Sequence, residues 1–238
     1  MNYLTSLSVI EARGQTVIEF LQGQLTADLN ELDSASILYS ALCNPKGRVL
    51  ADLYIIKKSA TCCLLLCDRS LVEILVPRLN KFGQFSDCVC TPLELSVAGH
   101  TEPGSDRHPI TPNPGLWLSL SLGDKDGWTD LEVAHGIPRV TAVTSGQFTA
   151  HMLSLDQWHA LSLKKGCYVG QEIIARTHYR GQSKKKLWHY SVENAPDAMT
   201  VVDIEDRSVT VLRSGTRQSL VVGSIDLTPS ERLTPIAF

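Results

Sequence analysis

The sequence predicts an α+β protein with a small all-β region at its C-terminal end. Helix-spaced and strand-type apolar segments alternate over the first half of the chain, whereas the segments that follow residue 187 are short strands only. The chain has 238 residues, of which 43% are hydrophobic and 20% are charged. It is therefore long enough to bury a sizeable core, and its composition argues against intrinsic disorder and against a coiled coil.

The first helix is predicted over residues 17–32, after a strand over 3–12. Its apolar residues recur at helical spacing. Thr16 and Glu19 match a capping box, in which the two side chains accept hydrogen bonds from unpaired amides at the start of the helix.

A β-hairpin follows this helix. Two apolar runs, 37–43 and 48–56, are joined by Asn44-Pro-Lys-Gly47, in which proline and glycine suit a tight turn. After the hairpin, the sequence predicts a strand over 61–67 and a helix that Asp68 can cap and that runs to about Phe82. A strand over 85–97, a loop over 102–115, a strand over 116–122 and a helix over 124–135 ended by Gly136 follow. The last predicted strands are 187–192, 199–204, 209–212 and 219–225. The last four strands favour a small barrel or sandwich.

Composition also indicates the compartment. No apolar run approaches the roughly 20 residues that span a bilayer, and no basic region precedes an apolar block at the N-terminus, so we expect a cytoplasmic protein without a membrane segment. Its cysteines are then expected to be reduced thiols, and their spacing matches no zinc site. Six of the seven are predicted to be small core residues, namely Cys43, Cys62, Cys63, Cys67, Cys88 and Cys90.

A basic segment, residues 164–186, carries most of the chemistry in the chain. It holds seven basic residues and one acidic residue, a formal charge of +6, in a chain whose total charge is −3. Such a segment suggests an anionic partner, although a solvated charged face is the common alternative.

The seventh cysteine, Cys167, lies within this segment between Gly166 and Gly170. The residues 171–179 can form a short helix, and the amides at its start, together with nearby lysines, are expected to lower the pKa of the thiol. On that helix Glu172, Arg176 and Arg180 fall four residues apart, a spacing that fits an ordinary ion-pair ladder equally well.

These residues resemble the signature of a known family. Lys165-Gly-Cys-Tyr-Val-Gly-Gln-Glu172, followed by Arg176 and Gly181, is similar to the K-G-C-[YF]-x-G-Q-E motif of the YgfZ folate-binding proteins, relatives of the glycine-cleavage T-protein (aminomethyltransferase). Three further segments match in the same order along the chain, namely Phe20–Asp28, Cys43–Asp52 and Gly136–Pro138.

The resemblance implies a cloverleaf of two interleaved α+β modules, residues 1–182, and a small C-terminal β-barrel, residues 183–238, around a channel that binds tetrahydrofolate. It implies an accessory role for iron–sulfur enzymes, including tRNA-modifying ones, through transient contacts with those enzymes or with cluster-assembly proteins. The basic segment 164–186 would suit the glutamate tail of folate or the phosphates of tRNA. Cys167 would act in redox or sulfur chemistry, and the residues assigned to the cofactor site are Asp28, Asp52, Lys165, Tyr168, Gly170, Gln171, Glu172 and Arg176.

Two departures from the relatives bear on the alternative function, a folate-dependent aminomethyl or one-carbon transferase. T-protein relatives have paired aspartates where this chain has Ala51-Asp52. Many relatives carry Arg-x-Glu where this chain has Glu132 and Ala134. Because such chemistry needs a placed carboxylate, we prefer the accessory role and do not expect a classical enzyme.

Overall fold

The computed structural model describes residues 6–33, 36–110, 115–120, 127–181, 183–204 and 207–236. Its strands are β1 (Leu7–Arg13), β2 (Leu38–Cys43), β3 (Val49–Ser59), β4 (Cys62–Asp68), β5 (Val89–Leu93), β6 (Ala98–His100), β7 (His108–Pro109), β8 (Trp117–Ser119), β9 (Lys185–Ser191), β10 (Val201–Ile204), β11 (Arg207–Ser214), β12 (Gln218–Ser224) and β13 (Leu233–Pro235). Its α-helices are α1 (Val17–Gln24), α2 (Val72–Gly83), α3 (Trp128–Ala134) and α4 (Gln171–Arg180), and short 3₁₀ helices occupy Leu29–Asp33, Arg69–Leu71 and Gln84–Ser86. No helix in these ranges is long and apolar enough to cross a bilayer.

The N-terminal sheet is antiparallel and runs in the order β2-β3-β4-β1-β5. Its central strands are buried on both faces, because α1 and α2 contact it and the 137–160 segment adds further apolar side chains to the same core. A second, three-stranded sheet has the order β6-β8-β7. The predicted hairpin across Asn44–Gly47 is confirmed, and Gly47 has a φ of +69°, which favours glycine.

The C-terminal strands form one five-stranded sheet with the order β10-β11-β12-β9-β13. Its two faces pack differently, as the alternation of side chains along a strand requires. Leu187 and its neighbour Val222 belong to the main core, whereas Trp188 and its neighbour Val221 belong to a separate small cluster. Closure of these strands into a barrel is not confirmed, and the boundary after residue 182 stays a prediction.

The helix predicted over 17–32 is shorter than expected. The helix ends at Gln24 because Leu25 takes an extended backbone and bridges Leu42 of β2. The amide of Thr26 then donates to the carbonyl of Ala41, which continues the pairing. Tertiary pairing with the hairpin has overridden the helical apolar spacing.

The predicted capping box is also wrong. The Thr16 side chain makes no cap hydrogen bond, and its hydroxyl donates instead to the carbonyl of Ser86, 2.7 Å away. At the second predicted cap, Asp68 does accept a hydrogen bond from the amide of Ser70, although the first turn there is 3₁₀ and α2 begins at Val72. The strand predicted over 85–97 is reduced to β5, because only these residues pair with β1.

Candidate functional site

The signature cysteine stands on a surface loop. Cys167 is exposed, whereas the other six cysteines are buried, so their prediction as core residues is confirmed. Burial raises the pKa of the Cys43, Cys67 and Cys90 thiols to about 12. Cys167 is therefore the cysteine that a reagent or a partner protein can reach in the folded chain.

Lys165 anchors this loop to the end of α1. Its side chain is buried, and its ammonium donates to the carbonyls of Leu25 and Ala27, each 2.7 Å away. Burial lowers the pKa of Lys165 to about 8, while Asp28 opposes that shift. The ammonium also lies 4.9 Å from the ring centroid of Tyr168. The geometry thus commits Lys165 mainly to main-chain carbonyls.

Gly170 holds the other end of the loop against the β2–β3 turn. It has a φ of +87°, and a Cβ atom there would lie 2.7 Å from the carbonyl oxygen of Asn44. Because the helix α4 starts at the next residue, this contact fixes where α4 begins. Gly166, by contrast, has no atom within 4 Å of where its Cβ would be.

The other signature residues divide into internal and exposed positions. The ring of Tyr168 is buried, and its hydroxyl has no hydrogen-bond partner in the described ranges. The side-chain amide of Gln171 donates to the main-chain carbonyl of Lys165 across 3.5 Å. Glu172 and Arg176 are exposed and, within the part of the chain described, take part in no ion pair, so the alternative of an ion-pair ladder with Arg180 is not observed.

The basic segment therefore presents a largely unpaired positive face. Its exposed members are Lys164, Arg176, Arg180, Lys184 and Lys185. Lys186 is half-buried, with its ammonium 4.1 Å from the ring centroid of Trp188. Tyr179, which is 69% exposed, lies among these cations on α4. The face can attract an anionic partner and offer one aromatic ring for stacking.

Asp28 lines a cavity of about 410 Å³ beside the anchored loop. One carboxylate oxygen, Oδ1, accepts a hydrogen bond from the side-chain amide of Gln22 at 2.8 Å and from the backbone amide of Asn30 at 3.1 Å. The hydrogen bond from Gln22 is the main reason why the pKa of Asp28 lies below its usual value. The cavity lining also includes Leu161, Leu163, Lys164, His178 and Tyr179. Cys167 is not among the lining residues.

A second cavity of about 410 Å³ shares His178 with the first. It lies between α4, the 151–157 segment and the C-terminal sheet, and its lining includes His151, Asp156 and Lys185. Burial lowers the pKa of His151, whose ring centroid is 6.0 Å from that of His178. In the described ranges no group of three His, Cys, Asp or Glu side chains is arranged to hold a metal ion.

Asp52, the second predicted folate-facing carboxylate, lies elsewhere in a buried charge network. It is 0% exposed and accepts hydrogen bonds from the Tyr39 hydroxyl, the Arg139 guanidinium and the Val140 amide. Burial raises its pKa, and the positive charge of Arg139 opposes that rise. The structure therefore separates Asp52 from the cavity that Asp28 lines, and gives its oxygens protein donors.

Glu132 completes this network, which we call the buried charge network: Asp52, Glu132, Arg139 and Arg213. Glu132 is 2.5 Å from the Arg139 guanidinium and 2.7 Å from that of Arg213 on β11. Burial alone would raise the pKa of Glu132, but the two guanidinium groups hold it below the usual value. The network links β3, α3 and the C-terminal sheet.

Sequence reasoning missed Gln22 and Arg139 as site residues. Gln22 lies within the matched segment Phe20–Asp28, and Arg139 directly follows the matched Gly136–Pro138. These positions, in or beside segments that match the family, could have marked both residues as candidates. Arg139 also has a φ of +38°, a backbone conformation that residues other than glycine rarely adopt.

Comparison with known proteins places the chain in a family. No protein-family model matches it. An uncharacterized protein of Haemophilus influenzae is 30% identical over 217 residues, which cover 85% of this chain and 77% of the relative. A tRNA-modifying protein YgfZ of Colwellia psychrerythraea is 27% identical over 225 residues, 78% of this chain and 69% of that protein. The chain belongs to the YgfZ family.

A solved structure shows the fold. The glycine cleavage system aminomethyltransferase T of Bartonella henselae superimposes with a TM-score of 0.69 over 94% of this chain and 77% of that one, at 15% sequence identity. The T-protein-like fold implied by the signature is thereby confirmed, because a TM-score of this size means that the two backbones follow a similar path.

Proposed function

We propose that the protein binds tetrahydrofolate and supports the assembly or maintenance of iron–sulfur enzymes, including tRNA-modifying ones, through Cys167. The observation that carries the proposal is the arrangement around Lys165: the loop that exposes Cys167 is anchored next to the half-buried carboxylate of Asp28 and its cavity. The relatives named tRNA-modifying protein YgfZ support the link to tRNA.

The residues around Asp28 fit a pterin ring. The hydrogen bonds from Gln22 and from the Asn30 backbone amide both reach Oδ1 of Asp28, so Oδ2 can accept an N–H group of the ring in a charge-assisted hydrogen bond. Leu161, Leu163 and Tyr179 supply apolar and aromatic surface around it. When bound, tetrahydrofolate would supply one-carbon or reducing chemistry. The chain's own residues orient the ring, and Lys164 and the cations of α4 attract the anionic glutamate tail.

The cloverleaf with a central channel is part of this proposal, as is the cofactor role of the remaining signature residues. The transferase alternative is favoured less, because the carboxylate on which it depends, Asp52, is occupied by Arg139, Tyr39 and Val140. An exposed thiol that no buried cysteine can replace suits an accessory protein that meets its client enzymes transiently.

Anaerobic calorimetry with tetrahydrofolate tests the folate part. Asp28→Asn should weaken binding about 10- to 100-fold, because a hydrogen bond to a charged group contributes about 1.5–3 kcal/mol. Asp33→Asn is the control, since that carboxylate is exposed and pairs with Lys57. Equal affinity of Asp28→Asn and the wild-type protein would contradict the assignment.

Complementation tests the role of the thiol. In a strain that lacks its own YgfZ protein, Cys167→Ala should fold and bind folate but fail to restore the activity of iron–sulfur enzymes. Cys62→Ala, which removes a buried thiol at the start of β4, serves as the matched control. Full restoration by Cys167→Ala would count against the thiol.

A further inference from the structure

The orientation of the Gln22 side chain is fixed by its neighbours. Its Oε1 accepts from the amide of Leu29 at 2.8 Å and lies 3.4 Å from the ammonium of Lys165. Both of these groups are donors only, so the oxygen of the amide must face them. The Nε2 group consequently faces Asp28, to which it donates across 2.8 Å.

This orientation decides which oxygen of Asp28 is available. Gln22 and the backbone amide of Asn30 both donate to Oδ1, so neither of these two hydrogen bonds occupies Oδ2. The Asn30 side chain also interacts with the carboxylate, and its contribution to the lowered pKa is the smallest of those present. Two hydrogen bonds to one oxygen limit rotation of the carboxylate and favour its ionised form. Oδ2 is left as the acceptor for a ligand in the adjoining cavity.

Glutamine is the side chain that meets all of these demands together. A glutamate at position 22 would accept from Leu29 and Lys165 but would place a second negative charge against Asp28. A methionine has no donor for Asp28, and its thioether sulfur is only a weak acceptor for Leu29 and Lys165. Gln24, also half-buried on α1, has no hydrogen-bond partner for its Oε1 in the part of the chain described, and it offers a matched comparison.

We propose that Gln22 is the positioning residue for the ligand-binding carboxylate of Asp28: its amide holds Oδ1 and thereby presents Oδ2 to the ligand. This inference rests on the proposed folate function only in the identity of the ligand. The hydrogen bond itself can be tested on the protein alone.

The first test is a carbon-13 NMR titration of the Asp28 carboxyl group in the full chain, assigned with Asp28→Asn. In Gln22→Met this group should titrate at a higher pH than in the wild-type protein, and in Gln24→Met it should not change. The other charged and titratable groups near Asp28 are common to all three proteins, namely Lys165, Glu31, His159, Lys164, His178 and Tyr179. An unchanged midpoint in Gln22→Met would overturn the proposal.

The second test is calorimetry with tetrahydrofolate. Gln22→Met should lose about tenfold in affinity, whereas Gln24→Met should bind as the wild-type protein does. Should Gln22→Met fail to fold, Gln22→Glu keeps the contacts to Leu29 and Lys165. It should likewise raise the pH at which Asp28 titrates and lower the affinity for tetrahydrofolate. Wild-type affinity in both Gln22 variants would refute the positioning role. Absence of binding to the wild-type protein would instead refute the proposed function, and the titration would still decide the role of Gln22.

Discussion

Arg139→Met tests whether the buried charge network stabilises the fold. Arg139 and Asp52 are 1% and 0% exposed, and the substitution removes the ion pairs of Arg139 with Asp52 and with Glu132. Breaking a buried pair by removing one partner typically costs about 3–5 kcal/mol. Here Asp52 keeps the donors Tyr39 and Val140, and Glu132 keeps Arg213, so we expect the lower end, about 3 kcal/mol.

Urea denaturation at several pH values provides the assay. In a parallel thermal denaturation, a loss of about 3 kcal/mol corresponds to a melting temperature lower by about 6–12 °C for a protein of this size. Without Arg139 the pKa values of both carboxyls should rise in the folded state. A folded state that binds more protons than the unfolded state loses stability as pH rises. The deficit in the free energy of unfolding of Arg139→Met, relative to the wild-type protein, should therefore be larger at pH 8 than at pH 5. Arg217→Met, on an exposed arginine, should cost less than about 0.5 kcal/mol. A deficit below 1 kcal/mol for Arg139→Met, or one independent of pH, would refute this reasoning.

Three further predictions concern the signature loop. Gly170→Ala should destabilise the protein by about 2 kcal/mol or more in urea denaturation, because of its positive φ and the contact with Asn44, whereas Gly166→Ala should change stability little; equal effects would contradict the packing account. Iodoacetamide should add one group per folded chain, at Cys167, as mass spectrometry of tryptic peptides can show; rapid labelling of a second cysteine would contradict the burial pattern. The pKa of Lys165 is lowered to about 8, so the folded state binds fewer protons than the unfolded state between that pH and the ordinary pKa of lysine. The stability of the wild-type protein relative to Lys165→Met should therefore rise with pH from about 8 to 10, and a difference that stays constant would rule out the buried ammonium.

Much of the fold could be predicted because local signals and tertiary structure agree. The hairpin over β2 and β3 has strong apolar runs and a turn that needs glycine at Gly47, and α4 begins where the signature loop ends. The first helix failed because apolar spacing does not reveal that Leu25 pairs with Leu42. Likewise, the Thr16 hydroxyl finds its partner in Ser86, far away in the sequence.

The site was predictable in its residues more than in their roles. The signature marked Cys167, which is exposed as the proposed role requires, and the motif around Asp28 marked a carboxylate at a cavity. The sequence could not show that Lys165 is buried against main-chain carbonyls. It also could not show that Asp52 pairs with Arg139, because the two residues are brought together only by packing across the core.

The most direct test of the central claim is a crystal structure of the protein grown anaerobically with tetrahydrofolate. The account predicts density for the pterin ring in the cavity beside Leu161 and Leu163, with a ring N–H group within hydrogen-bond distance of Oδ2 of Asp28. Density for the ring beside Asp52, or a ring bound without contact to Asp28, would contradict the account.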